Sequence, residues 1–154
     1  MIYIRAEPMN PVNVDRDMLT TYLEEDSDYQ EHPYRVYLNR GNGELLSIYE
    51  DEEEVENMFG LSAEETRNLR REVENNPEVY LEFPVPGHAQ WHEWFQEFLE
   101  QRDRSEEYFG SIGGWIKQYA SEEDYRDWEN FKPSCVVRYA IEIATAAGVK
   151  IKIV

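Results

Sequence analysis

Two β-prone runs joined by a glycine-rich turn constrain the fold of this chain more than any other feature. Tyr34, Val36 and Leu38 alternate with the residues between them, and residues 44–49 form a second run of the same kind. The connection contains Gly41-Asn42-Gly43, and glycine and asparagine tolerate the positive φ angles that tight hairpin turns need. The sequence therefore predicts an antiparallel hairpin over residues 34–50.

Two helices are also well marked. Ser62 and Glu65 have the spacing of a capping box, in which each side chain satisfies a free amide of the first turn. The helix that follows is predicted to end near Asn75, before Asn76-Pro77. A second amphipathic helix is predicted from His88 to about Arg102. Its apolar face consists of Trp91, Trp94, Phe95, Phe98 and Leu99.

The remaining elements are predicted from shorter patterns. Strands are expected at Met1–Arg5, at Val79–Phe83 and at the end of the chain, where Val149, Ile151 and Ile153 alternate with lysines. Further helices are expected at 14–25, at 121–128 and at 133–147, the last opened by Pro133 and stopped by Gly148. Gly110, Gly113 and Gly114 are expected to form a flexible link between two helices.

Strands early, helices late and a closing strand predict a mixed α+β domain. A chain of 154 residues is long enough for one compact domain. We therefore expect a single domain over 1–154, with a small antiparallel or mixed sheet and four to six helices, mostly in the C-terminal half.

Several segments in this order resemble the UPF0158 family of uncharacterised bacterial proteins. The resemblance lies in residues 34–46 and 76–84, in the aromatic helix 91–99, and in the segments 115–119, 128–131 and the final helix up to Gly148. The chain departs from the family pattern at 112–117, where family members tend to have a basic, phenylalanine-bearing run. Because the family has no established activity, the resemblance implies a fold more than a function.

A run of carboxylates is the main candidate interaction surface. Six of the seven residues from 50 to 56 are acidic: Glu50, Asp51, Glu52, Glu53, Glu54 and Glu56. The formal charge of the chain is −18, and the negative excess is concentrated in residues 1–80. Such a surface repels nucleic acid and anionic lipid and attracts cations and basic proteins. The run could bind Ca²⁺, although it lacks the spacing of an EF-hand loop. A solvated negative surface is the simpler interpretation of the run, and a solubility or salt adaptation of the source organism explains the charge at least as well as a functional acidic patch.

His88 and His92 are the candidate metal ligands. They lie four residues apart and therefore on one face of the predicted helix, where two imidazoles can share a divalent metal. No third ligand is marked in the sequence, so a solvated helix start is the simpler interpretation.

Three other features carry weaker signals. Cys135 is expected in the first turn of the last helix, where the helix dipole can lower a thiol pKa; a plain buried cysteine is the alternative. Residues 110–114 have some likeness to a phosphate-binding turn but lack its spacing. The aromatic stripe of residues 91–98 could dock a partner, although such stripes usually belong to the core.

These observations favour a non-enzymatic interaction or regulatory module that binds a basic partner. One alternative is a nucleic-acid mimic that occupies a basic groove with carboxylates, and another is a hydrolase that uses an acid/base pair of carboxylates. A cavity with two buried carboxylates would favour the hydrolase. Direct binding of nucleic acid ranks last.

The sequence predicts no catalytic set, no cofactor and no membrane span. A single cysteine and the absence of a visible secretory signal predict a cytoplasmic protein. The oligomeric state is left open by the sequence.

Overall fold

A computed structural model describes residues 10–24, 34–50 and 61–154. Two predicted features lie outside these residues: the strand at Met1–Arg5 and the acidic run beyond Glu50.

The predicted hairpin is confirmed. Strand β2 spans Tyr34–Asn39 and strand β3 spans Leu45–Tyr49, and they pair antiparallel with Tyr34 opposite Tyr49. Strand β4, at Tyr80–Phe83, joins the other edge of β2 and gives a three-stranded sheet of order β3-β2-β4. Val36, Leu38 and Phe83 are fully buried, so one face of this sheet packs on the core.

A second, parallel sheet joins the two ends of the described chain. Strand β1, at Val12–Val14, pairs with strand β5, at Ile151–Ile153, with Val12 opposite Ile151. The helix predicted at 14–25 is present but begins two residues later than predicted. Val14 belongs to β1, and helix α1 spans Arg16–Leu23 because Asp15 caps it by accepting a hydrogen bond from the amide of Met18.

Helices α2 and α3 follow the predictions closely. Helix α2 spans Ala63–Asn75 and begins with the predicted capping box of Ser62 and Glu65. Helix α3 spans His88–Glu100, and its predicted apolar face is buried throughout. The stripe at 91–98 is therefore core rather than a docking surface.

Helix α4, at Ile112–Gln118, corrects the predicted flexible link. Gly113 and Gly114 lie in its first turn, and Ser111 caps it by accepting a hydrogen bond from the amide of Gly114 at 2.9 Å. Only Gly110 belongs to the connection, which also contains a short 3-10 turn at Ser105–Glu107.

Helix α5 corrects the prediction of two helices at 121–128 and 133–147. It runs without interruption from Glu122 to Ala146 and contains Pro133 in its interior. Trp128 on one side of the proline and Cys135 and Val136 on the other are buried in the same core. Tertiary packing on both sides outweighs the helix-breaking tendency of proline, which is about 3 kcal/mol.

The core is a single cluster that draws residues from both sheets and from α1, α3, α4 and α5. Its centre is aromatic: the ring of Phe95 lies 5.2 Å from that of Trp115 and 4.9 Å from that of Trp128, both edge-on. Such edge-to-face contacts add about 0.5–1.5 kcal/mol per pair beyond area burial. The described residues thus form one α+β domain with five α-helices, as predicted.

Candidate functional site

A cavity of about 290 Å³ lies where the C-terminal end of α1 meets the starts of α3 and α4 and the N-terminal half of α5. One part of its wall is apolar or aromatic: Trp91, Ile112, Ile116, Tyr125 and Trp128. The other part is polar or charged: Glu24, His88, Ser111, Glu129 and Lys132. A concave site with apolar walls and a few converging polar groups is the usual form of a ligand pocket.

The charges of this cavity do not balance. The ammonium of Lys132 lies 3.5 Å from a carboxylate oxygen of Glu129, whereas Glu24 makes no ion pair with any described residue. Burial is the main cause that raises the pKa of Glu24; the charge of Glu129 acts in the same direction, and the charges of Lys132 and Arg16 oppose it. Among the side chains that line the cavity, two carboxylates share the ammonium group of Lys132.

Trp91 lines the cavity and also belongs to the hydrophobic core. The ammonium of Lys132 lies 5.8 Å from the centre of the Trp91 ring, within the range of a cation–π contact. The same ring packs edge-on against Trp94 at 4.9 Å. Its buried Nε1 makes no hydrogen bond within the described part of the chain, and an unsatisfied buried donor costs about 1–3 kcal/mol.

His88 connects the cavity to a chain of hydrogen-bonded rings. Nε2 of His88 lies 2.7 Å from Nε2 of His92, and the hydroxyl of Tyr108 contacts Nδ1 of His92. When Tyr108 donates to Nδ1, the proton of His92 is on Nε2 and is donated to His88. Burial lowers the pKa of His92, and the charge of His88 lowers it further. Both effects favour the neutral form of His92.

The two predicted metal ligands are brought together, as the helical spacing indicated. However, two imidazole nitrogens on one tetrahedral Zn²⁺ would be about 3.3 Å apart, and the 2.7 Å separation is that of a hydrogen bond. Among the described residues, no group of three or more His, Cys, Asp or Glu side chains is placed to hold a metal ion. Metal binding by His88 and His92 stays a prediction.

Of the predicted acidic run, only Glu50 lies within the described residues. Its carboxylate accepts a hydrogen bond from Nε of Arg35 at 3.0 Å, and its carbonyl accepts one from Arg70 at 2.7 Å. Arg70 also donates to the carbonyl of Tyr49. These two arginines fix the end of β3 at the point from which residues 51–56 continue.

Cys135 is not in the first turn of a helix, contrary to the prediction. It lies in the middle of α5 and is buried, and burial raises its thiol pKa to about 11. The alternative of a plain buried cysteine is confirmed. The turn at 110–114 contributes Ser111 and two glycines to the cavity wall.

Sequence reasoning missed Glu24, Glu129 and Lys132 as site residues. Glu24 follows α1, and the other two lie more than a hundred positions later on α5. The only local signal in the sequence is the spacing of Glu129 and Lys132, which are three residues apart on one helix and can therefore form an ion pair. Their meeting with Glu24 depends on the packing of α1 on α5.

No protein-family model, curated protein or solved structure matches this chain. The resemblance to the UPF0158 family therefore stays a prediction. Within the described residues, no helix combines the length and the apolar character needed to cross a lipid bilayer.

Proposed function

We propose that this protein is a non-enzymatic interaction or regulatory module that binds a basic protein partner through its carboxylates. The single observation that carries the proposal is the imbalance of charge: 33 acidic residues stand against 15 lysines and arginines. A charge excess of this size raises the association rate with a basic partner and makes binding sensitive to salt.

The placement of the cations strengthens this proposal. Arg35 is paired with Glu50, Arg104 with Glu107 and Asp124, and Arg138 with Glu97. The Arg138–Glu97 contact consists of two parallel hydrogen bonds of 2.9 Å. Because these guanidinium groups are paired with carboxylates of the protein itself, each offers less positive charge to an anionic partner, whereas the excess carboxylates remain available to a basic one.

The proposal is tested by capturing partners on the immobilised protein and eluting them with increasing NaCl. A basic protein released at moderate salt supports it, and capture of acidic proteins alone contradicts it. The informative variant replaces Asp51 by Asn and Glu52, Glu53, Glu54 and Glu56 by Gln. The matched control makes the same change of charge at exposed acids elsewhere: Glu74, Glu78, Glu93, Glu100 and Glu106. Loss of capture in the first variant only would assign the contact to the acidic run.

The same experiment examines the nucleic-acid mimic. Where the captured protein is itself a nucleic-acid-binding protein, duplex DNA is added as a competitor. Displacement of this protein by DNA indicates that the carboxylates occupy its basic groove. Unchanged capture in excess DNA means that the contact lies elsewhere on the partner.

A carboxylate-based hydrolase is the second candidate, and one observation favours it. Glu24 and Glu129 line the same cavity, and the pKa of Glu24 is raised, which suits a general acid. The test is hydrolysis of chromogenic glycosides, esters and phosphates by the wild type and by Glu24→Gln. Turnover that the substitution abolishes would favour the enzyme over the interaction module.

A further inference from the structure

We propose that the cavity between α1, α3, α4 and α5 is a binding site for a primary ammonium group carried on an apolar stem. This inference goes beyond the proposed function, since it concerns a defined pocket rather than a surface charge. The ammonium group could come from a small free amine or from a lysine side chain of a protein, and the test below separates these sources.

The charged side chains that line the cavity favour a cationic ligand. Glu24 and Glu129 contribute two carboxylates and Lys132 one ammonium group, which lies 3.5 Å from Glu129. Glu24 is half-buried and has no ion-pair partner among the described residues. A half-buried carboxylate without a partner is costly, and a cation placed beside it recovers that cost. An anionic ligand would instead meet Glu24 as a like charge.

The cavity already contains one ammonium group, that of Lys132. Lys132 lies between the Glu129 carboxylate and the face of the Trp91 ring, 5.8 Å from the ring centre. A carboxylate on one side and an indole ring on the other is a favourable surrounding for an ammonium ion. A second ammonium beside Glu24 would have the same kind of neighbours, because Trp128 lines the cavity as well.

The shape and chemistry of the remaining cavity wall suit an apolar stem. Ile112, Ile116 and Trp128 give one side of the cavity an apolar surface, against which a short alkyl chain can pack. Ile112 and Ile116 are four apart on α4 and therefore lie on one face of it. A volume of about 290 Å³ suits a small ligand or a single side chain rather than a drug-sized molecule.

The test uses the full chain and n-pentylamine as the free amine, with 1-pentanol as its neutral counterpart. Binding is followed by ¹H–¹⁵N NMR at the indole signals of the four tryptophans. We expect pentylamine to shift the signals of Trp91 and Trp128 in a saturable way and pentanol to leave them nearly unchanged. Equal binding of the amine and the alcohol would overturn the proposal, since the site would then recognise only the alkyl chain.

Two variants give opposite expectations. Glu24→Gln should weaken pentylamine binding about tenfold or more, because a charge-assisted contact is lost. Lys132→Gln should strengthen it, because both carboxylates are then free for the ligand. Glu142→Gln, at an exposed position of α5 outside the cavity, controls for net charge. Unchanged affinity in Glu24→Gln, or weaker binding in Lys132→Gln, contradicts the proposal. A dispersed NMR spectrum verifies that each variant is folded.

The source of the ammonium group is separated by a second pair of probes. Nα-acetyl-lysine methylamide represents a side chain on a peptide backbone, and Nα-acetyl-norleucine methylamide is its uncharged control. If the lysine derivative binds as well as pentylamine, the site accepts a protein side chain. If only pentylamine binds, the site takes free amines. Capture of a basic protein by Glu24→Gln, measured in parallel, shows whether the acidic surface acts independently of the cavity.

Discussion

Gly43, in the turn of the β2–β3 hairpin, packs directly against the backbone of Asn13 in β1. A Cβ atom placed on Gly43 would overlap the carbonyl oxygen of Asn13 and would lie 2.9 Å from Cγ1 of Val12. Gly43 also has a φ angle of 79°, which side-chain-bearing residues rarely adopt. The contact brings the hairpin turn against the two-stranded sheet, so that glycine at this position serves both the turn and the packing of the two sheets.

Substitution of Gly43 by Ala should therefore destabilise the protein by about 3 kcal/mol, the sum of a strained φ and a steric overlap. Gly148 is a matched control because its φ is 76° and nothing lies within 4 Å of the Cβ position. Gly148→Ala should cost only the strain, roughly 1–2 kcal/mol. The free energy of unfolding from urea titrations measures both. An equal decrease in the free energy of unfolding in the two variants would mean that the steric overlap with Asn13 does not contribute to the destabilisation of Gly43→Ala.

The ion-paired group around Arg104 should give a stability that depends on pH. Arg104 contacts Glu107 and Asp124, each at 2.9 Å. The hydrogen bond from Arg104 is the main cause that lowers the pKa of Glu107. The pKa of Asp124 is lowered mainly by a hydrogen bond from the backbone amide of Ser121, and Arg104 lowers it further. Carboxyls with a lowered folded-state pKa stabilise the protein above their unfolded pKa values, and this contribution is lost as the pH falls through the folded values.

Arg104→Gln should accordingly lower the free energy of unfolding at pH 7, and its difference from the wild type should shrink below about pH 4. Urea titrations at pH 7, 5 and 3 measure this difference. Arg126→Gln, at an exposed arginine of α5, should show a small difference that changes little with pH. A difference for Arg104→Gln that grows towards pH 3 would contradict the assignment.

Cys135 should be inert towards thiol reagents while the protein is folded. Its side chain is buried in the core and its thiol pKa is raised to about 11, and the thiolate is the reactive form. The rate of reaction with Ellman's reagent at pH 8 should rise at least roughly a hundredfold on unfolding in guanidinium chloride. The variant Ser134→Cys/Cys135→Ala moves the thiol to an exposed neighbouring position and should react quickly in the folded state. Rapid labelling of native Cys135 would contradict its buried position.

The elements that the sequence predicted well are those specified by neighbouring residues. The hairpin depends on Gly41-Asn42-Gly43 and the alternation on each side of it, and the start of α2 depends on Ser62 and Glu65, three residues apart. The candidate site depends instead on the meeting of Glu24 with Lys132 and His88, which are far apart in the sequence. No local pattern encodes that meeting, and so the cavity could not be predicted.

Strand β1 was missed for a related reason. Val12–Val14 is only three residues long and gains its partner, β5, from the other end of the chain. A strand this short has no detectable period, and its formation depends on a contact with high sequence separation. Asp15 immediately afterwards carried the only local signal, as the cap of α1.

Pro133 lies inside α5, whereas the sequence predicts that it opens a helix. A proline cannot donate a backbone hydrogen bond to the residue four positions earlier, and its ring crowds that carbonyl. The carbonyl that loses this donor is that of Glu129, whereas the hydroxyl of Ser134 donates to a different carbonyl, that of Phe131, at 2.6 Å. The helix persists because Trp128, Cys135 and Val136 are buried on both sides of it.

Pro133→Ala should therefore stabilise the protein by about 1–2 kcal/mol, since the gain in helix propensity exceeds the extra freedom of the unfolded chain. Thermal and urea unfolding measure the change. Ser134→Ala, at the exposed position beside it, should change stability by less than about 0.5 kcal/mol. A loss of stability in Pro133→Ala would show that the geometry imposed by the proline is itself needed to seat Cys135 and Val136 in the core.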